Sequence, residues 1–441
     1  MSGAALAATA FVVALGAMFL RMPIGAAMLL TGLCGTWIVT GSMVPALSAL
    51  KTLTYDTFSS HSLSIIPLFL LMGQFATRSG LSSSLFQAAA DWVGHRRGGL
   101  AMAAVGACAG FGSVCGSSLA TAATMGQVAL PALRQNGYSG ALATGVLAAG
   151  GTLGILIPPS IVLVVYAVLT EQNIVKMFMA ALIPGILAAI GYVITVSIFV
   201  RVSPSAAGEL ALRKSMRERW VSLQGVWPVA LIFALVIGGI YVGWFTPTEG
   251  AAVGAVATGV YALVTGRLDW STFSACILET AVASAMIYFI ILGAAAFNTF
   301  LALTQLPQAA ADWARVSGLS PLTILTLILI VYIILGCIMD SLSMMLLTIP
   351  VFFPVVMALD FGLNPEETAI WFGILVLIVV EVGLITPPVG LNLFIINSMA
   401  PGVPLSETYR GALPFVLSDM VRTTILVMFP AITLWLVRVG F

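Results

Sequence analysis

The amino-acid sequence predicts an all-α integral membrane protein built from two repeated halves. Three observations support this fold class: 60% of the 441 residues are hydrophobic, only 7% are charged, and segments along the chain repeat in order. An ordinary soluble domain has roughly a quarter of its residues charged, so this chain has too little polar surface to dissolve as a globule. Its many apolar runs of about 20 residues fit membrane-spanning helices. A net charge of +1 without a basic tail gives no indication of nucleic-acid binding.

The second half of the chain repeats the first at three places in the same order. Residues 87–92 read QAAADW, and residues 308–313 read QAAADW again. The pairs 157–159 with 386–388 and 181–185 with 411–415 also correspond. The spacings are 308 − 87 = 221, 386 − 157 = 229 and 411 − 181 = 230, so they drift by only a few residues. Duplicated halves with Gly/Pro-broken apolar segments at corresponding places are typical of the binding sites of transporters.

A long uncharged stretch in the first half is predicted to form a re-entrant hairpin at 98–133. Between Arg97 and Arg134 lie 134 − 97 − 1 = 36 uncharged residues. As one helix they would extend about 54 Å, far beyond a bilayer core of about 30 Å, and they are slightly too few for two full crossings. Residues 110–118, at the middle, are small, polar and helix-breaking. The alternative is a Gly/Ser-rich seam where two helices pack.

The second half has the same arrangement, with a re-entrant hairpin predicted at 318–358. Asp340 lies close to its midpoint and is the only charge between Arg315 and Asp360. An ionisable residue inside a membrane is costly, so it is a functional candidate. Because the hairpins are separated by an odd number of predicted spans, they enter from opposite faces, which makes the repeat an inverted one. Placing the base of the first hairpin in the cytoplasm puts most Lys and Arg residues inside, as the positive-inside rule requires.

Each hairpin is followed by a helix that is predicted to break, at 140–170 in the first half and at 368–398 in the second. Pro158-Pro159 lies in one and Pro387-Pro388 in the other. A proline nitrogen cannot donate a hydrogen bond, and its ring opposes a helical residue before it. Each break therefore frees carbonyls upstream and amides downstream. One proline kink is ordinary in a membrane helix, but two at matching positions, each beside a polar hairpin tip, are not.

These elements divide the chain into five predicted segments. They are scaffold helices with a lead-in at 1–80, a first transport half at 81–175, connecting helices at 176–303 with a solvated cytoplasmic loop at 201–220, a second transport half at 304–400, and a C-terminal helix at 401–441.

The opposed hairpin tips and helix breaks predict two cation sites beside one anion site. Unwound carbonyls and hydroxyls suit a small hard cation such as sodium, and half-helix N-termini suit a carboxylate. The first cation site is assigned to Gly112, Ser113, Ser117, Gly151, Thr152 and Gly154, the second to Gly336, Asp340, Ser343, Gly383 and Thr386, and the substrate site to Ser117, Ser118, Ser160 and Asn392. Some of these residues can contribute through their backbone carbonyls alone. Sodium is expected as the coupling ion, and no cofactor is expected.

Sodium is preferred over the proton because proton pathways usually need chains of Asp, Glu or His, and only Asp340 lies at a tip. Glu381 is the alternative candidate for proton coupling. It either titrates or is a hydrogen-bonded structural carboxylate at a helix end, and the structural interpretation is preferred. The chain lacks a paired-Asp, His-rich or Ser-plus-base constellation at matching depth. An enzyme is therefore not expected. A channel could also use hairpins, but paired helix breaks favour a carrier.

In these motifs the chain resembles the large membrane (M) subunit of a tripartite ATP-independent periplasmic (TRAP) transporter. The matching segments are 116–118 with Ala120 and Ala123, 151–160, 245–249 and 383–392. The resemblance implies an elevator-type sodium symporter of the ion-transporter superfamily, multi-pass in the bacterial inner membrane, for carboxylate-bearing organic solutes. It also implies two partners besides membrane lipids: a periplasmic solute-binding (P) subunit and a separately encoded, small four-helix membrane (Q) subunit. Glu249 belongs to this pattern, and we expect it to cap a helix. The main alternative is a stand-alone sodium/dicarboxylate symporter of the same architecture with no binding protein.

Overall fold

The computed structural model describes residues 3–210 and 213–440. Within these ranges the chain forms helices, and the only β-type pairing is an isolated bridge between Tyr138 and Ala207. The prediction of an all-α protein is therefore confirmed. Positions 1, 2, 211, 212 and 441, which belong to the predicted segments 1–80, 201–220 and 401–441, lie outside the described residues.

The helices follow one another with short connections. The N-terminal group is α1 (Gly3–Phe19), α2 (Ile24–Thr40), α3 (Met43–Ser59) and α4 (Ile65–Arg78). The first half holds α5 (Leu81–Val93), α6 (Gly99–Cys115), α7 (Ser118–Gln135), α8 (Gly140–Leu156), α9 (Ile161–Leu169) and α10 (Ile174–Val202). The connecting group is α11 (Met216–Leu223), α12 (Trp227–Phe233), α13 (Gly239–Val242), α14 (Pro247–Val264) and α15 (Trp270–Thr304), with a π-helical turn at Ala234–Gly238 between α12 and α13.

The second half repeats the order of the first. It holds α16 (Leu306–Val316), α17 (Pro321–Gly336), α18 (Ser341–Met357), α19 (Pro365–Leu384), α20 (Leu391–Ser398) and α21 (Leu405–Met428), and α22 (Pro430–Gly440) follows. In both halves a short helix with the QAAADW sequence precedes two helices of similar length. A helix that ends at a double proline comes next, then a short helix and a long one. The repeat in the sequence is therefore also a repeat of secondary structure.

Within the described residues, four helices are each long and apolar enough to cross a membrane: α10, α15, α19 and α21. Counting bent pairs as single spans raises the number to as many as seven, since α3 with α4, α8 with α9, and α11 with α12–α13 then qualify. Helix α3 lies where the sequence predicted no span. Its polar residues, among them Lys51 and Asp56, interrupt the apolar pattern on which the prediction depended.

The centre of the molecule is occupied by α8 and α19, the two helices that end at double prolines. Nearly every residue of both is buried. Outside this centre, α2 packs closely on α15, because Gly25 and Gly32 let the two backbones approach. Small residues at such contacts are usual in membrane proteins, where close van der Waals packing holds helices together.

Helix α14 begins with a capping box, as predicted for Glu249. The Glu249 backbone N–H donates to the Thr246 hydroxyl oxygen at 3.3 Å, and the Glu249 carboxylate accepts from the Thr246 backbone N–H at 2.8 Å. Pro247 fills the first helical position, where its missing N–H is not needed. The expectation that Glu249 caps a helix is confirmed.

The connection after α10, predicted as a solvated loop at 201–220, is mostly exposed among its described residues, and it is also attached to the protein. Residues 201 and 202 still belong to α10, and α11 already begins at Met216. Between them the chain lies against the end of α7: the Glu209 N–H donates to the Asn136 carbonyl at 2.8 Å, and the Ser139 N–H donates to the Ala206 carbonyl at 3.2 Å. Backbone hydrogen bonds thus hold this segment to the protein. A charge-rich composition could not reveal them.

Candidate cation and substrate site

Helices α6 and α7 turn back on one another at Gly116 and Ser117. Gly116 has a φ of 67°, in the left-handed region that favours glycine. Ser117 caps α7, its hydroxyl oxygen accepting the Ala120 N–H at 3.4 Å. At the other end of the pair, the Leu100 N–H donates to the Tyr138 hydroxyl at 3.2 Å, so the chain returns to where it began. The pair occupies the range predicted as a hairpin; its position in a membrane stays a prediction.

Helices α17 and α18 form the corresponding pair. Asp340 caps α18, because its carboxylate accepts from both the backbone N–H at 3.2 Å and the hydroxyl of Ser343. Thr348 donates to the Tyr332 hydroxyl at 2.8 Å. Since these two residues lie equally far from Asp340 along the chain, the arms run back against each other.

Both central helices end at the predicted double prolines. Helix α8 stops at Leu156, and Ser160 caps α9 by accepting the Leu163 N–H at 3.4 Å. The axes of α8 and α9 differ by 45°. Helix α19 stops at Leu384, and α20 begins after Gly390, whose φ is 65°. Two short helices, α9 and α20, therefore have their N-termini inside the molecule.

In the first half, the hairpin touches the central helix through glycine. A Cβ atom built on Gly112 would lie 2.5 Å from the Gly154 Cα atom, so no side chain larger than hydrogen fits there. Gly154 also lies against the Ser117 carbonyl and the Thr121 hydroxyl. The contact brings together the C-terminal ends of α6 and α8, where the last carbonyls of a helix lack partners within it and carry partial negative charge.

The second half makes the same contact. A Cβ atom on Gly383 would lie 2.5 Å from the Gly336 Cα atom, which joins the C-terminal ends of α17 and α19. The Gly390 N–H donates to the Cys337 carbonyl at 3.1 Å, tying the break to the hairpin tip. The spacings 336 − 112 = 224 and 383 − 154 = 229 match those of the sequence repeat. Four of the five glycines predicted for the two cation sites are thus brought together in pairs, and Gly151 is not among them.

The hydroxyls of three other predicted cation ligands donate to nearby backbone carbonyls. The Ser113 hydroxyl donates to the Gly110 carbonyl of its own helix at 2.8 Å. Thr152 donates to the Ala149 carbonyl at 2.7 Å, and its hydroxyl lies 2.9 Å from that of Tyr192 on α10. The Thr386 hydroxyl donates to the Val382 carbonyl at 2.6 Å. These three hydroxyls donate to nearby backbone carbonyls, and each oxygen keeps a lone pair, so their role as cation ligands stays a prediction.

Asp340 borders a cavity of about 450 Å³ that it shares with Arg21 and with apolar residues of α1, α2 and α15. Gly336 and Gly383 are not among the residues that line this cavity. Within the described parts of the chain, the hydrogen bonds of the Asp340 carboxylate go to Ser343 alone. Asp340 therefore borders a space beside the N-terminal helices, and its role as a cation ligand stays a prediction.

We expect Asp340→Ala to abolish sodium-driven uptake, and Asp340→Asn to show which property of this carboxylate matters. Alanine removes the charge and also the cap of α18, which costs about 1 kcal/mol. Asparagine keeps an acceptor for Ser343 and removes only the charge. Both variants are expected to lose sodium dependence, measured as uptake against sodium concentration in proteoliposomes, with the asparagine variant unfolding near the wild-type temperature. Sodium dependence retained in Asp340→Asn would contradict a role for the charge.

Three of the four predicted substrate residues lie near the end of α8. A Cβ atom on Gly151 would lie 3.1 Å from both the Ser118 carbonyl oxygen and the Asn392 side-chain nitrogen. That nitrogen donates to the Ala148 carbonyl at 3.2 Å. Ser117 adjoins them as the cap of α7. Ser160 is buried as well, but its hydroxyl serves the cap of α9, and among the described residues no hydrogen bond joins it to the other three.

Several buried polar atoms in this region have no hydrogen-bond partner within the described chain. They are the hydroxyls of Ser118 and Thr121, the side-chain oxygen of Asn392 and one carboxylate oxygen of Glu381. A buried polar atom without a partner is costly, so such atoms mark places where water or a ligand would bind. Sequence analysis missed Thr121. Its position one helical turn after Ser117 and Ser118, on the same face of α7, is the signal that could have found it.

Glu381 connects the two hairpins. It is fully buried near the end of α19, its carboxylate accepts from the Ser341 hydroxyl of α18 at 2.9 Å, and it lies next to Ser118 of α7. One carboxylate thus contacts the returning arm of both hairpins. The bond from Ser341 is the kind expected of a structural carboxylate, but the other carboxylate oxygen has no partner in the described chain, so the structural interpretation of Glu381 stays a prediction.

A second buried polar chain links the first half to α21. The Tyr192 hydroxyl donates to the Asp419 carboxylate at 2.6 Å, and Asp419 pairs with Arg422 at 2.9 Å. Through Tyr192 this pair reaches Thr152 on α8. Sequence analysis did not assign it. Two ionisable residues three positions apart in an apolar span would have indicated a functional or structural pair.

Comparison with known proteins identifies relatives along nearly the whole chain. A family model described as "Tripartite ATP-independent periplasmic transporter, DctM component" matches residues 11–432. The C4-dicarboxylate TRAP transporter large permease protein DctM of Pseudomonas aeruginosa is 39% identical over 404 residues, which cover 91% of this chain and 92% of that protein. The sialic acid TRAP transporter large permease protein SiaM of Vibrio cholerae is 31% identical over 428 residues, 96% of both proteins.

One solved structure supports the fold. The crystal structure of the Alcanivorax borkumensis YdaH transporter aligns with a TM-score of 0.60 and covers 88% of this chain and 89% of that one. The sequences are only 16% identical, so this likeness concerns the fold alone.

Proposed function

Because the chain belongs to the DctM component family of tripartite ATP-independent periplasmic transporters, we propose that it is the large permease subunit of a sodium-coupled carrier for a carboxylate-bearing organic solute. Its relatives are transporter permeases, and the chain is a multi-pass membrane protein. We propose the bacterial inner membrane as its location. Sodium coupling, the substrate and the movement are the parts of this proposal that go beyond family membership.

The paired glycine contacts carry the proposal. Gly112 on Gly154 and Gly336 on Gly383 each join the C-terminal ends of two helices at a helix break. Carbonyl oxygens at such ends are the ligands that hard cations prefer, and the negative ends of two helix dipoles point at the same place. Two equivalent contacts therefore support two sodium sites, one in each half, built mainly from backbone.

The substrate site would lie between the two cation sites. Helices α7, α9 and α20 begin near the helix breaks, and the positive N-terminal end of a helix stabilises an anion. Ser118, Thr121 and Asn392 offer buried polar atoms that lack partners in the described chain. A carboxylate held there would be attracted by the sodium ions on either side, which couples the binding of ion and solute.

We propose that the two halves, at 81–175 and 304–400, move together as a transport domain against a scaffold formed by the other helices. The close contacts of α6 with α8 and of α17 with α19 support one compact body. The separate packing of α2 on α15 supports a second body. In an elevator mechanism, the first body would carry the sites across the membrane, and the hairpins would be re-entrant from opposite faces.

Two partners complete the proposed transporter: a periplasmic solute-binding protein that delivers the solute, and a small membrane subunit. Reconstitution of the permease with its small subunit in proteoliposomes tests this. We expect uptake of an organic acid only with an inward sodium gradient and the purified binding protein, and uptake that saturates with both. Removing sodium or the binding protein is expected to reduce the rate to that of empty vesicles. Full uptake without the binding protein would indicate a stand-alone symporter instead.

A further inference from the structure

The first copy of the QAAADW sequence, on α5, is covered by the protein's own segment 213–223. The Lys214 ammonium contacts the Asp91 carboxylate at 2.7 Å, and the side chain of Asp91 is only 6% exposed. The Trp92 indole nitrogen donates to the Arg219 carbonyl at 3.1 Å, and the Trp220 ring packs edge-on against Trp92. The first copy is thus covered by another segment of the chain. Lys214 of that segment pairs with the Asp91 carboxylate, and its Arg219 carbonyl accepts from the Trp92 indole N–H.

The second copy, on α16, has no such cover from the part of the chain that the structure describes. The side chain of Asp312 is 73% exposed, and its nearest cation is Arg315 of the same helix, at 3.9 Å. Trp313 is 58% exposed, and no hydrogen bond to its indole nitrogen is found among the described residues. Val316, 84% exposed, and Leu319 continue the surface. These four residues, Asp312, Trp313, Val316 and Leu319, are called the α16 patch.

We propose that the α16 patch is a docking surface for the periplasmic solute-binding protein, which places a lysine or arginine on Asp312 and a backbone carbonyl on the Trp313 indole. The proposal rests on the proposed function, because it takes the partner from it. The two copies have the same six residues, so equivalent contacts can form on both. In the first half the chain supplies that cover itself, and in the second half the described chain does not.

Charge and sidedness favour a soluble partner on the periplasmic side. Segment 213–223 is basic, with Arg213, Lys214, Arg217 and Arg219, and basic connections lie in the cytoplasm. In an inverted repeat, α16 lies on the face opposite to α5, which is then the periplasmic one. Tryptophan is also common at lipid headgroups, so a lipid surface is the competing occupant. A lipid surface does not provide Asp312 with a partner like the lysine that pairs with its counterpart, Asp91.

Binding of the purified solute-binding protein to the complete membrane complex in nanodiscs tests the α16 patch. We expect Asp312→Lys to raise the dissociation constant about tenfold or more. Most of this change should come from slower association, since charges at an interface act mainly on the association rate. Trp313→Phe keeps an aromatic ring, although a smaller one, and removes the N–H, so a smaller weakening of binding, of about threefold, is expected from one lost hydrogen bond. Glu171→Lys, which reverses another exposed charge, is expected to change binding less than about twofold.

A photo-crosslinking residue at Val316 identifies what covers the patch. We expect it to form an adduct with the added binding protein, whereas the same residue at Val12, an exposed position on α1, forms none. Adducts with lipid only, or unchanged binding by Asp312→Lys, would overturn the proposal. Equal weakening by Asp312→Lys and Glu171→Lys would also overturn it, because the effect would then reflect overall charge. Failure of sodium-driven uptake in the wild type would instead refute the proposed function, which keeps the two results distinct.

Discussion

Replacing Gly112 by alanine is expected to abolish sodium-dependent uptake, whereas replacing Gly106 by alanine on the same helix is expected to leave uptake close to wild type. The new methyl carbon at Gly112 would lie 2.5 Å from the Gly154 Cα atom, while nothing lies within 4 Å of one at Gly106. Carbon atoms pack at about 3.5–4.0 Å, so α6 and α8 would have to separate by about 1 Å. That separation spreads the carbonyls proposed to hold the first sodium ion.

Uptake against sodium concentration in proteoliposomes measures this prediction, and thermal unfolding in detergent serves as its control. Overpacking typically costs 1–3 kcal/mol, so Gly112→Ala should unfold at a somewhat lower temperature and still fold and insert. Gly383→Ala makes the equivalent clash with Gly336 and is expected to have the same effect through the second site. Wild-type sodium dependence in Gly112→Ala would show that the close contact is not part of a cation site.

Glu381→Ala is expected to lower the rate of uptake by at least tenfold, whereas Glu381→Gln is expected to keep most of it. Alanine leaves the Ser341 hydroxyl without its acceptor and opens a cavity between the hairpins. A buried polar group left unpaired costs about 1–3 kcal/mol. Glutamine has nearly the same shape, and its amide oxygen can still accept from Ser341. Its amide nitrogen can donate to the neighbouring Ser118.

Initial uptake rates and unfolding temperatures of both variants test the interpretation of Glu381 as a structural carboxylate. We expect the alanine variant to be less stable and the glutamine variant to match the wild type in both measurements. Loss of sodium-driven uptake in a stable Glu381→Gln variant would mean that the negative charge, rather than the hydrogen bond, is required.

The helix breaks could be predicted from the sequence because their cause is local. Proline lacks an N–H and clashes with a helical residue before it, whatever surrounds it. The glycines proposed for the cation sites could be named for a similar reason, since Gly154 and Gly383 lie beside those breaks and Gly112 and Gly336 lie near the hairpin tips. That Gly112 meets Gly154, and Gly336 meets Gly383, depends on tertiary packing. The sequence repeat does predict that the two contacts resemble each other, because equivalent helices in the two halves pack in the same way.

The direction of individual side chains could not be predicted. Thr152 lies in the predicted site, but it faces Tyr192 on α10, and Asp340 borders a space beside the N-terminal helices. Which way a side chain projects at a helix end depends on the geometry of the adjoining loop, and residue spacing does not give that geometry. Asp419 lies on α21, outside the hairpins and breaks, so the patterns that predict the sites do not include it. The docking of 203–210 under α7 uses backbone atoms, which leave no trace in composition.

The hydrogen bond from Asn392 to the Ala148 carbonyl crosses from one half of the chain to the other. Each duplicated unit therefore contributes to a pocket that it cannot close by itself. A polypeptide carrying a single unit would leave the Asn392 amide without its acceptor unless a second molecule supplied one.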